Sequence, residues 1–100
     1  MLADGRVRVI TGTTPYGQGH DTTWAMIVAD ATGVSLERIR VVHGDTDEVP
    51  TGGLTVGSRS VQLAGSALAE ATGQLVAAAR QRASGLLEAH VADVVLDAAT

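Results

Sequence analysis

Thr11-Gly12-Thr13-Thr14-Pro15-Tyr16-Gly17-Gln18-Gly19-His20-Asp21-Thr22-Thr23 holds the densest chemistry in the chain. Gly17 and Gly19 permit backbone angles closed to other residues. Pro15 fixes a turn without an amide to donate. The remaining amides, with Gln18, His20, Thr22 and Thr23, gather where a helix is expected to begin, at its positive end. A second stretch, Gly52-Gly53-Leu54-Thr55-Val56-Gly57-Ser58-Arg59-Ser60, repeats this design. If both helices lie on one face of a sheet, the two loops converge on one pocket. It would hold free amides, the hydroxyls of Thr23, Thr55, Ser58 and Ser60, and the Arg59 guanidinium. That donor set suits a phosphate or an extended polar heterocycle better than a metal ion. The same residues also have a plainer reading, with the glycines as turns and Asp21 and Ser58 as helix caps.

Other chemistries find less support. Gly17-Gln18-Gly19 lacks the third glycine of a dinucleotide fingerprint, and the seven basic residues are all Arg, which excludes a Walker lysine. Asp45, Asp47 and Glu48, near His43, have no EF-hand spacing and read as a solvated acidic turn. His90 reads as a helix-terminal residue, and Trp24 and Met26 as core. No spacing supports a Ser-His-Asp triad or a working carboxylate pair. Cysteine is absent, so the chain offers no thiolate for zinc or an iron–sulfur cluster.

The elements that must position these loops follow from periodicity. Asp4-Gly5 marks a hairpin turn, and Arg6–Thr11 alternates as a strand. A helix capped by Asp21 is expected to run to Thr32, burying Trp24, Ile27, Val28 and Ala31, and to stop at Gly33. Ile39–His43 reads as a second strand, and Asp45–Gly57 as a loop long enough to suspect function. A long helix follows from about Arg59 to Ala83 or Ala89. Its stripe is Val61, Ala64, Leu68, Ala71, Leu75 and Ala79, with Gly65 and Gly73 permitting close approach. Val94–Leu96 reads as a third strand and Asp97 as a further turn. The expected fold is α+β: a two-layer, β-α-β-α-β arrangement with two helices on one sheet.

The chain has 100 residues, 45% hydrophobic, with no Phe, one Trp and one Tyr, so residues 1–100 make a single, partial domain with a thin, Ala-rich core. A formal charge of -4 argues against nucleic-acid and anionic-membrane partners. No apolar run is long enough for a membrane span. The opening residues lack the character of a secretory leader, and a cytoplasmic setting is expected.

Gly17-Gln18-Gly19-His20-Asp21-Thr22-Thr23, then Gly44-Asp45-Thr46-Asp47, then Gly57-Ser58-Arg59-Ser60, in this order, resemble the molybdenum hydroxylases. These are the large subunits of xanthine dehydrogenase, aldehyde oxidase and carbon monoxide dehydrogenase, the last being the most similar branch. The resemblance covers essentially the whole chain. It implies a segment of the molybdopterin-binding domain, the cofactor taking its simple or cytosine dinucleotide form. Gln18 would reach the ligands at the molybdenum end, and Gly19, His20 and Thr23 would hold the polar edge and phosphates. Thr55, Gly57, Ser58, Arg59 and Ser60 would close from the other side. Implied partners are the rest of the large subunit, small iron–sulfur and flavin subunits, and a small-molecule substrate. The family's catalytic Glu is absent, so the fragment is expected to be inactive alone. The rival expectation is a non-enzymatic module that self-associates or binds phosphate.

Overall fold

The computed structural model describes residues 1–96. Strand β1 (Val7–Ile10) is followed by helix α1 (His20–Thr32), strand β2 (Ile39–Val42) and helix α2 (Ser66–Leu87). A π-helical turn, Val61–Gly65, leads into α2. Short 3-10 turns cover Leu36–Arg38 and Val91–Asp93. The strands pair in parallel, with Val7 opposite Ile39 and Ile10 opposite Val42. Parallel neighbours need a crossover, which α1 supplies.

The strand alternation is observed: Val7 and Val9 are buried, whereas Arg8 and Ile10 are exposed. The two valines pack with Val28 of α1, and Val34, Ile39, Val41 and Leu68 close around them. Trp24 and Val28 are the most completely buried large side chains. Ala31 and Met26, expected inside, are instead exposed, and Ala25 and Thr32 are buried. The inward arc of α1 is therefore turned by about one residue. Thr32 tolerates burial because its hydroxyl donates to the Val28 carbonyl (2.7 Å) and accepts from the Val34 amide (3.2 Å).

At the start of α1, Gly19 rather than Asp21 is the cap residue, in a left-handed conformation with φ 82°. Asp21 lies within the first turn, where its carboxylate meets His43 Nε2 at 3.1 Å. The far end stops as expected: Gly33 adopts φ 73° and donates to the Ala29 carbonyl.

The second helix differs more. Its regular part begins at Ser66, and Val61 is 63% exposed. Gly65 and Thr72 are buried, while Ala71 and Ala79 are exposed. The π turn inserts the extra residue that rotates the stripe. Gly65 lies against Trp24 and Ile27, as a close approach requires, but a Cβ there would sit 3.5 Å from its nearest neighbour, in ordinary contact. Around Gly73 nothing stands within 4 Å, so that glycine mediates no contact. Gly65→Ala is accordingly expected to stabilise the fold by about 0.5–1 kcal/mol, read as a raised urea midpoint with an unchanged slope.

Val94–Leu96 forms no strand, so the sheet has two strands and the described order is β-α-β-α. The Arg80 guanidinium takes the carbonyls of Val94 (2.9 Å) and Val91 (3.1 Å), holding the segment on α2 rather than on the sheet. His90, expected at the end of the long helix, lies beyond it, and its Nδ1 accepts from the Ala92 amide to cap the Val91–Asp93 turn instead. The turn expected at Asp97 lies outside the described residues. Among the described residues no helix is long and apolar enough to cross a membrane.

Candidate functional site

The two glycine loops meet beyond the end of β1. The Gly53 amide donates to the Gly12 carbonyl at 2.9 Å, and Thr13 and Gly53 form an isolated parallel bridge. Thr14 Oγ1 donates to the Gly53 carbonyl, and the Thr55 hydroxyl donates to the Thr14 carbonyl. Contact is so close that only glycine fits: a Cβ on Gly12 would lie 2.6 Å from the Thr51 carbonyl oxygen, and one on Gly52 2.6 Å from that of Gly12. Beneath the crossing, Trp24 Nε1 donates to Thr13 Oγ1 (3.2 Å), which is also hydrogen-bonded to Thr11 Oγ1 (2.9 Å). The core tryptophan thus fixes the first loop from below.

A cleft of about 500 Å³ opens beside the crossing. Gly12, Thr13, Gly52 and Gly53 line it on the side of the crossing, and Arg59 and Ser60, just before the π turn, line it with Leu63, Ala67 and Leu68. Among the described residues the Arg59 guanidinium has neither a hydrogen bond nor an ion pair. Of the expected site residues, Arg59 and Ser60 therefore share a cleft with the first loop. Thr55 reaches that loop too, but its hydroxyl is used as a latch.

Gln18, Gly19, His20 and Thr23 cluster at the amino end of α1 and do not line this cleft. Gln18 Oε1 accepts from the Tyr16 amide, closing the loop on itself. Thr23 Oγ1 donates to the Gly19 carbonyl at 3.0 Å. His20 is 5% exposed, its ring centroid 5.0 Å from that of Trp24, and its Nδ1 is buried without a partner. Gly17, Gly19 and Gly57 have φ between 70° and 93°, and open space lies where their Cβ atoms would be. Ser58 shares the left-handed region at φ 52°, a conformation a non-glycine residue adopts at a cost.

The acidic stretch is structural. Asp45 Oδ1 accepts the Asp47 amide (3.0 Å), Glu48 pairs with Arg8, and His43 faces Asp21. Among the described residues no group of three metal-ligating side chains occurs.

Among the described residues, the amides of Gly17, Gly19 and Gly57, the Arg59 guanidinium and the buried Nδ1 of His20 are left without hydrogen-bond partners. Free amides and a guanidinium are groups that bind phosphate, and here they lie in two places, at the amino end of α1 and in the cleft before α2. The pairing of Gly12 with Gly52 escaped the sequence reading. Its signal was the recurrence of Thr-Gly at Thr11-Gly12 and Thr51-Gly52, each just ahead of a ligand-type loop.

Residues 1–100 match the model of the molybdopterin cofactor-binding domain. The chain belongs to that family. It is 41% identical over 93 residues to the carbon monoxide dehydrogenase large chain of Afipia carboxidovorans, covering 93% of this chain and 12% of that one. It is 44% identical over 94 residues to the 6-hydroxypseudooxynicotine dehydrogenase complex subunit gamma of Paenarthrobacter nicotinovorans, covering 94% and 12%. Among solved structures, a Cu,Mo-CO dehydrogenase in its carbon monoxide reduced state superposes with a TM-score of 0.81 at 40% identity, over 89% of this chain and 11% of that one. The α+β, partial-domain expectation and the cofactor class agree with these findings. The chain spans about an eighth of the length of these two relatives.

Proposed function

We propose that this chain is the cofactor-gripping segment in the large subunit of a molybdenum hydroxylase, an oxidoreductase acting on an aldehyde, a heterocycle or a related small molecule. The observation that carries the reading is the Gly12–Gly52 crossing, which brings two loops with open donors onto one another. The bound molybdopterin supplies the two-electron redox chemistry, and this chain supplies grip and orientation. Gln18, Gly19, His20 and Thr23 hold the polar edge from the α1 side, where the first helical amides lack carbonyl partners. Gly57, Ser58, Arg59 and Ser60 hold it from the α2 side, Arg59 countering phosphate charge. Thr55 locks one loop to the other. The cytosine dinucleotide form gives these phosphate donors two anionic groups to meet.

Partners in this reading are the rest of the large subunit and the iron–sulfur and flavin subunits that carry electrons away, in the cytoplasm. The segment alone carries no substrate base and is inactive.

The test is a thermal-shift titration of the chain with molybdopterin cytosine dinucleotide. Saturable stabilisation is expected, and Arg59→Ala should weaken apparent affinity by about ten- to a hundredfold, the worth of a charge-assisted hydrogen bond. A flat response, with melting that depends on chain concentration, would instead favour a self-associating module.

A further inference from the structure

The sheet is unfinished on one side, and its geometry specifies what completes it. In a parallel pair, alternate residues of a strand turn both backbone groups towards the neighbour. The Thr11 amide donates to Val42, so Thr11, Val9 and Val7 address β2. The residues of opposite parity address the other edge. Two hydrogen bonds bear this out: Arg6 gives its carbonyl to the Leu2 amide (2.7 Å), and Gly12 gives its carbonyl to Gly53 (2.9 Å). Between these ends lie Arg8 and Ile10, whose backbone groups face that edge with no strand among the described residues to meet them.

The lower boundary has the form of a hairpin. Gly5, at φ 82°, donates to the Leu2 carbonyl, and Leu2 donates back to Arg6. This is a three-residue loop closed by a left-handed glycine, the connection that joins antiparallel strands. The chain entering Leu2 therefore runs antiparallel to β1 on its open edge.

The upper layer is also ready. The 500 Å³ cleft runs along this edge, since both Val9 and Ile10 line it although their side chains point to opposite faces. Leu63, Ala67 and Ala71 form its roof. Ile10 is 52% and Leu63 61% exposed. The small alanines leave room for bulky side chains from below.

We propose that an antiparallel β-strand supplied by polypeptide on the amino-terminal side of Leu2 occupies this edge, alternate apolar residues facing Leu63, Ala67 and Ala71. The matched segment is 12% of the length of the carbon monoxide dehydrogenase large chain, so a polypeptide of that length has chain beyond this segment. The inference rests on strand geometry: the strand takes the part of the cleft lined by Val9, Ile10, Leu63, Ala67 and Ala71 and leaves Arg59 and Ser60 to the cofactor reading.

The test compares the chain with a form extended before Met1 by Val-Thr-Val-Thr-Val-Thr, and with a control extension of Pro-Thr-Pro-Thr-Pro-Thr, which cannot complete the ladder. Amide hydrogen exchange is the readout. The Val-Thr extension should slow exchange at Arg8 and Ile10 by about tenfold or more, with the proline control near the parent rate. Unchanged exchange at both amides would overturn the proposal. So would protection in the unextended chain that grows with concentration, since that assigns the edge to a second copy.

Discussion

Trp24→Ala is expected to abolish the cooperative thermal transition of the chain. Trp24 is 1% exposed and is the chain's sole tryptophan, in a core without any phenylalanine. Removing a buried large aromatic costs about 3–5 kcal/mol, which is a large part of the stability of an ordinary small domain. The indole also holds Thr13 through its Nε1 and packs against His20 and Gly65. One residue therefore joins α1, the start of α2 and the first loop. Trp24→Phe separates these roles. It keeps part of the apolar contact while deleting the donor and leaving a smaller cavity, so a loss of about 1–3 kcal/mol is expected, measured by urea denaturation. If Trp24→Ala melts cooperatively within a few degrees of the parent, the core described here is wrong.

Gly12→Ala is the second large effect, and it acts at the loops. The new Cβ would lie 2.6 Å from a backbone carbonyl oxygen of Thr51, which no side-chain rearrangement relieves. The two loops must separate, breaking the Gly53–Gly12 hydrogen bond and the latches at Thr14 and Thr55. Forced overpacking of this kind costs about 1–3 kcal/mol. Ligand affinity should fall with it, because the loops no longer share one position. Gly17→Ala provides the contrast: its φ of 93° imposes backbone strain, yet nothing lies within 4 Å of the new methyl. That variant should leave the crossing intact, as judged by amide exchange at Gly53.

How far the sequence revealed this follows from where the physics is local. The β1 alternation, the Gly33 stop and the two loops are written in neighbouring residues, and each is found in place. The α2 stripe shifted because a π turn at Val61–Gly65 leaves no mark in a 3.6-residue pattern. The strand expected at Val94–Leu96 depends on a neighbour to pair with, and Arg80 captures its carbonyl first. Asp21 had the composition of a cap, but a left-handed Gly19 took that position and left its carboxylate to His43. The site divides in the same way. Donor-rich loops were visible residue by residue, whereas the Gly12–Gly52 contact joins segments far apart in the chain. Thr55 is the clearest case, for a hydroxyl counted as a ligand donor is held by the opposite loop.

The most direct measurement is isothermal titration of the chain with molybdopterin cytosine dinucleotide, using the parent, Gln18→Ala, Arg59→Ala and the double variant. If both loops grip a single ligand, stoichiometry is one per chain, and each single variant weakens binding by about tenfold or more. The account is contradicted if no binding occurs, or if the variants of only one loop change the affinity.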